Sequence, residues 1–386
     1  MKIGLGIIGC GTIADVYLKN LTEKYRNVEV LAVSDIYFEK AQEAAKKYHV
    51  LKACTSEELL ADPDIKIVLN LTIPAVHYSI NKKILEAGKH VYCEKPLALK
   101  FSEAVELNEI AKSKGLMCVS APDTFLGAGL QQCRAILEQN KIGKSFGFTA
   151  NMTCAGHELW HPNPGFYYKT GGGPLFDMGP YYLTALVYLL GPIKAITCLS
   201  KAGRPIRNIK GIPTRTEIDT TYCALVEFHC GAIGTLMMSF DTWKTNLPLL
   251  EIYCTEGSLF CPDPNNFGGP VHIYRGERIR SIIDACNEPH PAKLFTMIDN
   301  MDKCIEEVPM AFPDTNENMR GLGVSDMAQA IIDNRPARLS GELSVHVVEA
   351  LEAFTKSSNS LRRCELTTDV HQTEMMDSGW KLWEIN

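Results

Sequence analysis

Two short runs carry residue types that can bind a phosphate and move a proton. In the first, Gly9, Gly11, Thr12 and Ile13 stand between an apolar run, Ile3 to Ile8, and a segment, Ile13 to Leu21, whose apolar positions recur at helical spacing. Glycines between a strand and a helix let the backbone approach a pyrophosphate, and the helix offers unpaired N–H groups and a positive dipole end. Asp35 follows about 20 residues on, where a carboxylate takes the ribose hydroxyls of NAD. Such a carboxylate repels a 2′-phosphate, so NAD is expected over NADP; the alternative is an aspartate that only caps a helix. The second run is Glu94-Lys95-Pro96. Taking a hydride from a carbinol carbon requires its hydroxyl to lose a proton, so a base or relay must stand beside the nicotinamide. Lys95 serves if burial and a cationic nicotinamide lower its pKa. Glu94 orients it or contacts the cofactor. A lysine in a surface loop is the alternative.

The elements that must position these residues alternate. Val28 to Asp35, Ile67 to Leu71, His90 to Cys93 and Leu116 to Ser120 read as strands. Phe38 to Tyr48, Ala75 to Ala87 (opened by Pro74, closed by Gly88) and a segment capped by Ser102 read as helices, and Thr55 with Glu58 fits a capping box. This predicts a doubly wound parallel sheet with its ligand crevice at the carboxyl ends of the strands. Thr72, Pro74 and His77 fall there as cofactor contacts, with solvent the alternative for His77. From Ala121 the pattern changes: a helix over Ala128 to Glu138, then period-two runs with Phe146, Phe148, Ala150 and Met152 on one side. Further strands at Thr220 to Glu227, Gly234 to Phe240 and Leu249 to Cys254 predict a large, mainly antiparallel open sheet. Helices over Tyr181 to Leu190, near Met327 to Asp333 and over Leu343 to Ser360 cover one face. Pro262 to Gly269 and Gly203 to Arg215 read as surface excursions toward a partner subunit. The expected fold is therefore α/β: a Rossmann domain over 1–122 and an α+β domain over 123–386.

The whole composition fits this plan. The 386 residues exceed what one core usually serves. A net charge of −6 with 22% charged and 46% hydrophobic residues gives no sign of a nucleic-acid partner. No apolar run reaches the ~20 residues of a membrane span. Met1-Lys2-Ile3-Gly4 lacks a signal-peptide layout, so a cytoplasmic protein is expected. The 14 cysteines are scattered without a Cys-x-x-Cys pair and read as buried free thiols, Cys10 filling space in the glycine turn.

Gly9 to Ala14, Glu94-Lys95-Pro96 and Gly171-Gly172-Gly173-Pro174-Leu175-Phe176-Asp177-Met178-Gly179, in this order and spacing, resemble the Gfo/Idh/MocA family of oxidoreductases. The resemblance implies oxidation of a secondary hydroxyl of a sugar or polyol, or the reverse, with NAD or NADP. It also implies a homo-oligomer, dimer or tetramer. Where the family carries Asp-x-x-x-His, this chain has Asp177 and Tyr181. Four apart, they share a helix face. Tyrosine, with an ordinary pKa near 10, is a weaker base than histidine, which shifts the burden to Lys95 and Asp177. His157 and His161 sit four apart as a helical metal pair would, but the surrounding Gly156, Pro162 and Pro164 favour a loop, and no metal is expected. In that loop Trp160 or Tyr167 would stack on a sugar ring and a histidine bond its hydroxyls; packing on the core is the alternative. Asp123 falls in a stretch that contacts cofactor or substrate in the family. A redox-assisted glycosidase with tightly bound NAD and a non-catalytic sensor of dinucleotide or sugar are the competing functions.

Overall fold

Alternating apolar runs and amphipathic segments build a first sheet of six parallel strands. The computed structural model describes residues 2–284 and 304–381. Its strands are β1 (Ile3–Ile8), β2 (Val28–Ser34), β3 (Lys52–Ala53), β4 (Ile65–Asn70), β5 (His90–Cys93) and β6 (Cys118–Ser120), in the order β3-β2-β1-β4-β5-β6. β1 and β4 are buried along nearly their whole length, as strands covered by helices on both faces must be. The helices are α1 (Thr12–Glu23), α2 (Phe38–Tyr48), α3 (Ser56–Ala61), α4 (His77–Glu86) and α5 (Phe101–Ser113). The capping box of Thr55 and Glu58 opens α3. Lys100, not Ser102, is the N-cap residue of α5, and α4 begins only after a 3-10 turn over Pro74–Val76. The two-residue β3 has no apolar run to announce it.

After α6 (Ala128–Glu138) the chain forms a sheet of nine strands around β7 (Ser145–Thr153). The others are β8 (Ile193–Lys201), β11 (Thr221–Phe228), β12 (Ile233–Ser239), β13 (Leu250–Cys254), β14 (Gly257–Cys261), β15 (His272–Arg275), β16 (Ile305–Glu307) and β17 (Cys364–Glu365). Every pairing is antiparallel except β7 with β12. Alternation sets the inner face: Tyr222, Ala224, Val226 and Phe228 of β11 are buried. Phe148, Ala150 and Met152 are buried too, whereas Phe146 at the strand's start is 55% exposed. The inner face packs on α7 (Gly173–Leu190) and on α10 (Gly341–Ser360). The remaining helices are α8 (Gly276–Asp284) and α9 (Leu322–Asp333). α7 starts eight residues earlier than its apolar stretch predicts, because Gly173 and Pro174 suit a first turn.

The predicted excursion at Gly203 to Arg215 lies at the surface with one side chain anchored inside, whereas that at Pro262 to Gly269 is built into the molecule. Gly203 to Arg215 contains the hairpin β9 (Ile206–Ile209) and β10 (Ile212–Arg215), whose Arg207 is 1% exposed. The loop at Pro262 to Gly269 tucks Phe267 into the core, and the backbone at Phe267 and Gly268 lies too close to Gly127 and Gly129 for either to carry a side chain. α10 bridges the two sheets: the β6 amide of Ser120 donates to Ser344 Oγ at 2.9 Å and the amide of Phe101 to Glu352 Oε2 at 2.9 Å. Among the described residues every cysteine is free, but Cys223 and Cys230 are exposed rather than buried. No helix among them is long and apolar enough to cross a membrane.

Candidate active site

The crevice lies at the carboxyl ends of β1, β2, β4 and β5. Gly9 has φ +102°, and a Cβ there would come within 2.8 Å of the Leu71 carbonyl carbon. Nothing lies within 4 Å of where a Gly11 Cβ would sit, and no side chain caps α1. This open cradle before a helix N-terminus fits a pyrophosphate. Thr12 is exposed and Ile13 half-buried beside it. Asp35 is half-buried; its carboxylate accepts the Cys10 amide at 2.7 Å and the Tyr37 amide at 2.9 Å, so it also braces the glycine turn. Ile36 and Tyr37, 94% and 62% exposed, leave apolar surface beside that carboxylate for a purine ring. The Cys10 thiol points back to the Ser34 carbonyl, its pKa pushed up to about 12 by burial and by Asp35.

Three of the predicted crevice residues turn inward. His77 is fully buried, with Nδ1 2.7 Å from the Pro96 carbonyl oxygen and Nε2 3.0 Å from that of Thr72. Burial lowers its pKa. It meets neither solvent nor an open crevice, and ties the loop after β4 to the loop after β5. The Thr72 hydroxyl bonds Asn70 at 2.6 Å, and Pro74 opens the 3-10 turn. Glu94 is 7% exposed and accepts the Tyr17 hydroxyl of α1 at 2.7 Å, which makes it a brace. Asp123, 1% exposed, accepts the amides of Gly321 and Gly323 at 2.9 and 3.0 Å and so holds that loop.

Lys95, Asp177 and His157 come together from three parts of the chain. Lys95 Nζ donates to Asp177 Oδ1 at 2.7 Å and to the Asp177 main-chain oxygen at 2.5 Å. Burial pulls the Lys95 pKa down, but Asp177, Tyr181 and Glu94 outweigh it and the net shift is upward, opposite to the sequence expectation. Burial would raise Asp177; Lys95 and His157 hold it at about 2 instead. His157 Nε2 lies 3.4 Å from Asp177 Oδ2. Burial opposes its protonation, yet Asp177 and Cys154 raise it to about 9. The His157 ring centroid is 4.1 Å from that of Tyr167, 4.4 Å from Phe240 and 5.1 Å from Trp160. Trp160 is 67% exposed at the rim; Tyr167 is half-buried, its pKa pushed up to about 12 by burial and by Asp177. His161 packs its ring 5.1 Å from that of Tyr167 and its Nδ1 accepts the Asn163 amide; His157–Leu159 is a single 3-10 turn, so the two histidines are not a helical pair. Among the described residues no three His, Cys, Asp or Glu side chains gather as a metal site would need.

Two arginines that no motif marked shape this site. Arg207 donates to Glu158 Oε1 at 3.0 Å and to Asp241, with its guanidinium 4.8 Å over the Tyr168 ring. Tyr168 in turn donates to Glu158 and accepts the His157 amide at 3.2 Å, which fixes the turn bearing His157. Arg320 Nη2 donates to Tyr181 Oη at 3.1 Å. Tyr181 shares α7 with Asp177 and is 6% exposed. Its ring lies 5.3 Å from Lys95 Nζ, and its hydroxyl is directed at Arg320 rather than at Asp177.

Comparison with known proteins agrees with this architecture. Residues 3–121 match the model of an oxidoreductase family with an NAD-binding Rossmann fold, and residues 130–260 match the GFO/IDH/MocA C-terminal domain. The trans-1,2-dihydrobenzene-1,2-diol dehydrogenase of Bos taurus is 27% identical over 270 residues, 68% of this chain and 75% of that protein. The scyllo-inositol 2-dehydrogenase (NAD(+)) of Bacillus subtilis is 26% identical over 265 residues, 67% of this chain and 73% of that protein. An NAD-binding oxidoreductase of Klebsiella pneumoniae superposes with a TM-score of 0.78 at 22% identity, over 95% of this chain and 100% of that one. A levoglucosan dehydrogenase solved with NADH gives 0.76 at 18% identity, over 95% and 100%. With both halves matched in order, this chain belongs to the Gfo/Idh/MocA family of NAD-binding oxidoreductases.

Proposed function

We propose that the protein is an NAD-dependent oxidoreductase acting between a secondary hydroxyl and the corresponding ketone of a sugar, sugar derivative or cyclitol. The observation that carries this reading is the buried Lys95–Asp177–His157 cluster at the mouth of the dinucleotide crevice. The dehydrogenases of dihydrodiol and inositol among its relatives support the substrate class. When bound, the nicotinamide supplies hydride acceptance or donation. The chain's own residues do the rest. The amides beside Gly11 hold phosphate charge, and Asp35 takes the ribose hydroxyls and disfavours NADP. Lys95, kept as an ammonium, hydrogen-bonds the substrate oxygen and gives its proton to the alkoxide formed in reduction. In oxidation the amine form of Lys95 accepts the hydroxyl proton, while Asp177 steadies the ammonium that forms. Trp160 and Tyr167 supply aromatic faces for the ring.

In this reading residues 1–122 bind the cofactor and 123–386 supply the substrate pocket and the contacts for a homo-oligomer. The decisive experiment is a screen of polyols, free sugars and glycosides with NAD, following NADH and aglycone together. NADH formed in step with ketone supports the dehydrogenase; aglycone release without net NADH would replace it with redox-assisted elimination.

A further inference from the structure

The Asp177 carboxylate has two oxygens and a basic partner on each. Lys95 Nζ donates to Oδ1 at 2.7 Å, and His157 Nε2 lies 3.4 Å from Oδ2. The contacts use different oxygens, so an ammonium and an imidazolium can hold the same carboxylate at once. All three side chains are largely buried. At that burial each cation weakens the hold of Asp177 on the other, because a proton added to one nitrogen is repelled by the charge already on its neighbour. The helix-borne histidine of the Asp-x-x-x-His pattern is absent. In its place Tyr181 turns its hydroxyl oxygen to Arg320, from which it accepts at 3.1 Å. The imidazole beside Asp177 comes instead from the 3-10 turn His157–Leu159, in a different part of the chain.

The position of His157 is also built rather than incidental. Its amide donates to the Tyr168 hydroxyl at 3.2 Å, and the rings of Tyr167, Phe240 and Trp160 pack around its imidazole. The titratable groups that face it are few. Asp177 comes from α7, the Cys154 thiol from just after β7, and the Tyr167 phenol, its pKa pushed up to about 12, from the 3-10 turn Pro164–Tyr168. Glu158 in its own turn spends its carboxylate on Arg207 and Tyr168, with Arg204 3.8 Å away. Among the described residues Asp177 is therefore the carboxylate left to balance the imidazole. Around Lys95 stand Asp177, Tyr181 and Glu94, and the Glu94 carboxylate is taken up by the Tyr17 hydroxyl and the Lys95 amide.

We propose that His157 is a positioning residue for the proton step: as an imidazolium it claims one oxygen of Asp177 and loosens that carboxylate's hold on the proton of Lys95. The inference rests on the dehydrogenase reading above and adds a residue to it. Oxidation needs Lys95 as an amine, and a carboxylate that serves Lys95 alone keeps it an ammonium. With His157 charged, the proton leaves Lys95 for solvent more readily. The amine then takes the hydroxyl proton as the carbinol gives up its hydride, and His157 itself exchanges no proton with the substrate. Because His157 titrates at about 9, its help is present at neutral pH and fades as pH rises through that value.

The test reads NADH formation against pH with the best substrate of the screen above, in the intact protein and in His157→Gln, which keeps a polar side chain without the charge. In the variant the ascending limb of kcat should move up by about one pH unit, a loss of about tenfold near pH 7.5. The two profiles should converge above about pH 10, where the imidazole is itself neutral. His157→Lys, which restores a cation, should recover most of the loss, and circular dichroism checks that both variants fold. A reciprocal measurement needs no turnover: by linkage, Lys95→Met should raise the NMR titration midpoint of the His157 ring by about one unit. Superimposed profiles, or a loss of the same size at every pH, would overturn the inference and leave the dehydrogenase standing, as would an unmoved His157 midpoint in Lys95→Met. A midpoint that moves, with no NADH from any compound of the screen, would keep the shared carboxylate and sink the dehydrogenase.

Discussion

At the scale of single residues, charge partners decide what each side chain can do. Lys95 sits where a proton relay is wanted, yet facing Asp177 it rests as a cation. Replacing it by Ala should lower turnover by about 10²–10⁴-fold, the usual contribution of a placed acid or base; NADH formation that survives with little loss would remove Lys95 from the mechanism. His157 titrates higher folded, at about 9, than the 6.5 of a free histidine. Its contribution to stability is therefore fully present below pH 6.5 and lost as pH rises through about 9. Asp177, depressed to about 2, contributes above its ordinary 3.8 and ceases to as pH falls through 2. Chemical denaturation of the protein and of His157→Asn, at pH 7 and pH 10, should show a smaller loss in the variant. An equal loss in both would mean that His157 does not carry this charge.

At the scale of elements, the hairpin of β9 and β10 does work that its sequence conceals. Its Arg207 neutralises Glu158 and Asp241, whose side chains are 6% and 12% exposed, and thereby fixes the turn that presents His157 to Asp177. Arg207→Ala removes the nearer of two arginines from Glu158 and Asp241, leaving Arg204 3.8 and 3.7 Å away, and should cost about 1.5–3 kcal/mol in urea unfolding. Arg207→Lys should recover part of it. A loss below about 1 kcal/mol would show that the network relaxes into water. The period-two and 3.6 patterns made β1, α2, β5 and α6 legible to within a residue. They failed at α7 because Gly173 and Pro174, not an apolar stripe, make its first turn, and at the hairpin because the buried ion pairs of Arg207 set it.

At the scale of the molecule, among the described residues α7 and α10 pack on one face of the nine-stranded sheet. On the other, Leu199 of β8, Leu225 of β11 and Ile233 of β12 are 64%, 62% and 63% exposed. Contiguous exposed apolar side chains on a broad sheet mark an interaction surface, and a second copy of the chain is its simplest occupant. Sedimentation velocity of the protein should give a dimer or larger. The double variant Leu225→Lys and Ile233→Lys should shift it toward monomer; an unmodified chain that sediments as a monomer would place the interface elsewhere or abolish it.

The sequence by itself determined the parallel sheet, its glycine turn and the acidic residue beside it, because strand and helix periodicities and turn chemistry are local. It also marked Lys95 and Asp177, through short motifs that fix a residue at an element's end. Tertiary structure alone decided what those residues face. His77, Glu94 and Asp123 occupy motif positions but spend their polar atoms bracing loops, and that is visible only once the partner loops are in place. His157 joins Asp177, and Arg320 reaches Tyr181, across 139 residues of chain in the second case. Both pairings lie within residues 123–386 and are set by how α7 and the loops around the second sheet pack on one another. The opening runs thus named the proton-handling lysine, while the fold gave it a charge state and a neighbouring guanidinium.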